Sequence, residues 1–263
     1  DETRSRLMPV NRTHPLASLL AACASFGLRD ANDALNSYYA ALQQSSANDD
    51  WRMAEESRLA LDTLAQDSAA QAEKEKDARN KIAFYRVATV AAWQSGSDDV
   101  IAYAGKGQAL CDAENNASRL PRDCAMLKVI PTFASVDQAT EALNELSRKI
   151  DAATDRSQFI PAAEQIFADY RDNLSRLLAA RPQIVASPVH PDFVQALDDN
   201  LANLLCNKLG TDAVGVVAQV RGNVSQARCE VWRQKLDGMD KGLEAHCLPA
   251  SGSSADLAAP EDC

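Results

Sequence analysis

Leu28-Arg29-Asp30-Ala31-Asn32-Asp33-Ala34-Leu35-Asn36-Ser37-Tyr38-Tyr39-Ala40-Ala41-Leu42 is the stretch whose reading decides the fold. Leu28, Ala31, Leu35, Tyr38 and Leu42 recur three and four residues apart, the spacing that stacks side chains on one face of an α-helix. The same stretch opens a run to Gln94 that contains neither Gly nor Pro. Ala is the commonest residue and has the best intrinsic helix propensity. The expected fold class is therefore all-α, with antiparallel helical hairpins stacked as a bundle or solenoid and reinforced by disulfides.

Working outward, the polar stretch from Ser45 to Asp49 marks a turn, and Asp49 or Asp50 supplies an N-cap for a helix from Trp51. The charged run from Glu73 to Lys81 pairs Glu75 with Arg79 and Asp77 with Lys81 at i,i+4, which reads as the solvated face of one long helix. Residues 82–94 and 98–111 then form a helix pair around Ser95, Gly96 and Ser97, with Ser97 as the expected cap. Pro131 is expected to end the following helix, and Ser135 with Gln138 forms a capping box. Leu143, Leu146, Ile150 and Ala153 define the next helix. Ala163, Phe167, Tyr170, Leu174 and Leu177 define its successor. Pro182, Pro188 and Pro191 punctuate a linker, and Phe193, Leu197, Leu201 and Leu204 resume the period. Short antiparallel legs after Gly210, with a break at Gly222, bring Cys229 back level with Cys206.

Composition excludes several functions. The 263 residues carry 27 Lys plus Arg against 37 Asp plus Glu, a formal charge of −10. Nucleic-acid binding needs a clustered basic face, and anionic lipid headgroups repel such a chain. Hydrophobic residues at 46% suffice for a sizeable core, so disulfides supplement that core.

The seven cysteines divide into one plus six. Cys111, Cys124, Cys206, Cys229, Cys247 and Cys263 lack metal-type CxxC spacing, and an even set reads as a disulfide framework in an oxidising compartment. Cys111–Cys124 closes a short polar loop. Cys206–Cys229 and Cys247–Cys263 complete the scheme, although four cysteines allow three connectivities.

Cys23 ends Leu20-Ala21-Ala22-Cys23, behind a short apolar run from Leu16 and the basic residues Arg12 and His14. This resembles the lipobox of bacterial lipoproteins. The resemblance implies acylation of Cys23 and a lipid-anchored protein facing the periplasm. Ala24 follows rather than Asp, which in that family favours the outer membrane. The alternative is a small core thiol in an Ala-rich helix of a secreted protein. On the lipobox reading the chain divides into a signal segment (1–23), an N-terminal helical region (24–132), a C-terminal helical region (133–247) and a flexible tail (248–263). Around Gly96, Tyr85 to Ala88, Ala92 to Gly96 and Val100 to Tyr103 resemble a tetratricopeptide hairpin. Thr89 stands where that family usually has Gly or Ala, the loop is short, and no second copy follows at a period of about 34 residues.

Catalytic and metal-binding signatures are absent from the sequence: no GxSxG, HExxH, phosphate-binding glycine loop or EF-hand. His14, His190 and His246 are far apart, and His246 beside Cys247 suits a helix C-terminus better than a metal site. The doublets Asp49/Asp50, Asp98/Asp99 and Asp198/Asp199 suit helix starts or exposed helix faces. The sequons at Asn11, Asn116, Asn173 and Asn223 read as chance, two of them lying inside expected helices. The expected function is a periplasm-facing helical lipoprotein that binds protein partners, touches the membrane only through its lipid, and uses neither cofactor nor small-molecule substrate. The alternatives are an immunity or inhibitor protein that neutralises a basic periplasmic enzyme, and an enzyme with a site built from scattered residues. Trp51, Trp93 and Tyr103 are the candidate partner anchors, since aromatic side chains dominate interface energetics.

Overall fold

The computed structural model describes residues 31–113, 116–189 and 191–221. Every regular element among them is helical. They are α1 (Ala31–Ala47), α2 (Trp51–Lys74), α3 (Ala78–Ser95), α4 (Val100–Asp112), α5 (Asn116–Arg119), α6 (Pro121–Ala152), α7 (Ile160–Val185), α8 (Pro191–Ala202) and α9 (Val214–Arg221). A 3-10 turn, Ser157–Phe159, precedes α7, and a π-helical stretch, Asn203–Ala213, joins α8 to α9. The chain forms two compact units, one up to Pro131 and one from Thr132.

In the first unit α1, α2, α3 and α4 pack in sequence as antiparallel hairpins, and α1 also touches α3. The buried stripe of α1 is Ala34, Leu35, Tyr38, Ala41 and Ser45. Ala31 and Leu42, expected on that face, are half-buried at its edge. Asp50 caps α2 by accepting from the Met53 N–H at 3.0 Å. At the far end of α2 the expected long charged helix is broken. Lys74 is its last residue and Asp77 caps α3, accepting from the N–H groups of Arg79 and Asn80 at 2.9 and 3.0 Å. Glu75 Oε1 accepts from the N–H groups of Lys76 and Asp77. Two carboxylates thus satisfy the backbone donors of a tight reversal, and no Gly or Pro is needed.

Gly96 closes α3 in the left-handed conformation at φ 78°. The Gly96 and Ser97 N–H groups donate to Trp93 O and Ala92 O, a Schellman end. Ser97 does not open α4 as expected: the helix begins at Val100, and Ser97 Oγ accepts only a long 3.4 Å bond from the Asp99 N–H.

Pro131 does not end a helix either, because α6 runs through it from Pro121 to Ala152. A proline inside a helix leaves the carbonyl four residues earlier without its donor. Here that carbonyl is Leu127 O, and the Gln108 side chain of α4 donates to it at 2.7 Å. Pro182 is likewise inside α7, three residues before its last residue, so the expected linker is confined to the residues after Val185.

The second unit packs α7 against α8, the π-helical stretch and α9. Ala163, Phe167, Tyr170, Leu174 and Leu177 are buried, as their period requires. The Tyr170 hydroxyl donates to Thr140 Oγ1 at 2.9 Å, and Asn173 Nδ2 donates to Ser135 Oγ at 3.0 Å, which ties α7 to the second half of α6. Gly210 makes no corner: the chain stays helical through it to Arg221. The expected break at Gly222, and Cys229 beyond it, lie outside the described residues. A Cβ on Gly210 would stand 2.9 Å from Leu205 O, so the wider π-turn closes only around a residue without one.

Candidate functional site

Cys111, in the last turn of α4, and Cys124, in the first turn of α6, form a disulfide with Cα atoms 5.8 Å apart. Both belong to a buried cluster with Ala72, Ile82, Tyr85, Ala104 and Leu127. Gly107 lets α4 approach that cluster. Its Cβ position lies 2.7 Å from both Leu127 methyls and 3.1 Å from Tyr85 Cβ. Cys206 is also disulfide-bonded. Cys23, Cys229, Cys247 and Cys263 lie outside the described residues, and so do His14, His190 and His246.

Two polar groupings fasten the first unit. Glu73 Oε1, at the end of α2, accepts from the Tyr85 hydroxyl of α3 and from Lys106 Nζ of α4, each at 2.6 Å. The Lys106 ammonium, with help from Tyr85, holds the Glu73 carboxyl below its ordinary range. Burial, and then the bond to Glu73, push the Tyr85 hydroxyl pKa far up, so it stays protonated. Arg86 of α3 bonds Asn32 of α1 and places Nε 2.8 Å from Asp123 Oδ1 of α6. That Nε makes no aligned hydrogen bond, so charge holds the Asp123 contact. Burial pulls the Arg86 pKa down, and the Asp123 charge opposes this.

One residue of each acidic doublet makes a structural bond. Asp50 is a cap, Asp99 Oδ2 accepts from the Tyr103 hydroxyl at 3.3 Å, and Asp198 takes Arg181 in two bonds of 2.6 and 2.9 Å. Asp198 thus stands on a face inside α8 as half of an ion pair to α7. Asn116 and Asn173 are buried, with side-chain amides bonded to Leu110 O and Ser135 Oγ, which closes both as glycan acceptors in the folded chain.

Among the candidate anchors only Trp51 stands in solvent. It is 80% exposed, more than twice the next described aromatic residue, Tyr39, at 37%. Trp93 and Tyr103 are half-buried. Apolar exposure continues at positions that the sequence did not single out: Leu59 on α2 is 60% exposed and Ile101 on α4 is 67% exposed. Leu59 carries no motif, and Ile101 lies in the hairpin-like stretch Val100 to Tyr103 without being a candidate anchor. Their only sequence signal is that each falls off the buried stripe of its helix.

No protein family, curated protein or solved structure matches this chain. Among the described residues no group of three His, Cys, Asp or Glu side chains is placed to hold a metal ion. None of the described helices is long and apolar enough to cross a membrane.

Proposed function

We infer that this chain is an envelope lipoprotein whose helical hairpins bind a protein partner, as a scaffold or assembly accessory facing the periplasm. The observation that carries the binding role is Trp51. A Trp left four-fifths exposed on the first turn of a well-capped helix adds nothing to its own unit's core, whereas aromatic anchors of this kind concentrate binding energy at interfaces. The anchorage rests on the resemblance of Leu20-Ala21-Ala22-Cys23 to a lipobox, and the oxidising compartment on the paired cysteines Cys111 and Cys124.

Two readouts test the reading. Metabolic labelling with a palmitate analogue should mark the native protein and not Cys23→Ala. Labelling of neither, or of both, removes the lipid anchor. Chemical cross-linking in intact cells should convert the native protein into a discrete heteromeric adduct, and its absence would remove the partner.

A further inference from the structure

α8, the π-helical stretch and α9 follow one another without a break from Pro191 to Arg221. Leu197, Leu201, Leu205, Leu209, Ala213 and Val217 recur along this run every four residues, and all six are buried. The solvent side keeps the same period: Asp199, Asn203, Asn207 and Thr211 are exposed, and Gln219 is exposed two steps further on. An ordinary α-helix cannot hold that pattern. At about 3.6 residues per turn, each step of four overshoots a full turn by about 40°, so five steps would carry Val217 about 200° away from Leu197. The buried and solvent stripes would then have changed sides by α9. The π-helical stretch removes this drift, because bonding five residues back widens each turn. The Val214 N–H donates to Leu209 O, and the Thr211 hydroxyl donates to Cys206 O at 3.1 Å, each five residues back. Gly210 permits the wide turn, since a Cβ there would stand 2.9 Å from Leu205 O, again five residues back.

We infer that the π-helical stretch is a winding device that holds the valine face of α9 docked in the second unit, with Gly210 as its positioning residue. In the wide form Val217 and Val220 are buried on the side where α8 and α9 both pack against α7. Rewound as an α-helix, the same residues would swing Val217 and Val220 outward and bring Gly215 and Gln219 towards α7. Burial of the leucine and valine stripe offsets the poorer intrinsic stability of the wide turn. Winding of the chain before α9, rather than any one contact made by α9, therefore decides whether that apolar face is covered.

Two glycines of the full chain test this by the sign of their response. Ala favours a helix over Gly at both Gly210 and Gly215, and a Cβ on Gly215 would meet nothing within 4 Å. Gly215→Ala should therefore raise the denaturant midpoint. Gly210→Ala should lower it, and should speed amide hydrogen exchange across residues 214–221 by roughly tenfold or more while leaving α1 to α3 unchanged. A Gly210→Ala variant as stable as Gly215→Ala, or one with unchanged exchange across residues 214–221, would overturn the inference. Should Gly210→Ala fail to fold, Val217→Ser and Gln219→Ser in the native background decide the matter. The wide form predicts a clear fall in midpoint for Val217→Ser and little change for Gln219→Ser. Gln219→Ser as costly as Val217→Ser, or a harmless Val217→Ser, would show that α9 does not sit in the register set by the wide turn.

Discussion

Gly105 and Gly107 are two residues apart on α4 and should respond oppositely to substitution. A Cβ on Gly105 meets nothing within 4 Å, so Gly105→Ala should raise stability by up to about 1 kcal/mol through helix propensity. Gly107 faces the buried Leu127 and Tyr85 too closely for any side chain. Gly107→Val should cost about 1–3 kcal/mol through overpacking. Denaturant midpoints of the two variants check the pair, and a shift of the same sign in both would refute the packing described here. Glu73 gives a pH signature. Its folded-state pKa is lowered, chiefly by Lys106 and then Tyr85. Its contribution is therefore fully present above the ordinary carboxylate range and lost as pH falls through the depressed value. Wild type should be more stable than Glu73→Gln at neutral pH, with the two converging in acid. A gap that widens in acid would contradict the assignment.

Elements show where reading the sequence stops. Buried stripes of α7 and α8 were legible because Phe167, Tyr170, Leu174, Leu197 and Leu201 keep a clean helical period. Boundaries set by side-chain hydrogen bonds were not. The reversal at Glu75 to Asp77 hides in a run whose i,i+4 charges also suit a continuous helix, and only the cap geometry of Asp77 decides against one. Pro131 misleads for a related reason: the rescue of Leu127 O comes from Gln108, far away in sequence. That bond is open to a double-mutant test. Gln108→Leu should cost about 1–2 kcal/mol by stranding a buried carbonyl. In a Pro131→Ala background, where the N–H of residue 131 can satisfy Leu127 O, the same change should cost clearly less. Equal costs in both backgrounds would show that Gln108 does not serve that carbonyl. Trp51 was legible as a candidate. The exposure of Leu59 and of Ile101 was not, because an isolated exposed apolar residue leaves no sequence mark.

At the scale of the molecule, the first unit is a bundle fastened by Cys111–Cys124, Glu73 and Arg86, and α2 leaves Trp51 and Leu59 exposed outside it. By loop-closure entropy, a bridge between cysteines 13 apart contributes about 3 kcal/mol. Reductant should therefore lower the denaturant midpoint of the native protein, and Cys111→Ala/Cys124→Ala should be correspondingly less stable without reductant. The central claim is that the exposed face of α2 is where a partner sits. Photo-cross-linking from a benzophenone amino acid tests it most directly, with the probe at position 51 or 59 in living cells and a control at exposed position 145 in the second unit. The account predicts one discrete heteromeric adduct from positions 51 and 59 and none from position 145. No adduct from 51 or 59, or the same adduct from all three, would contradict it.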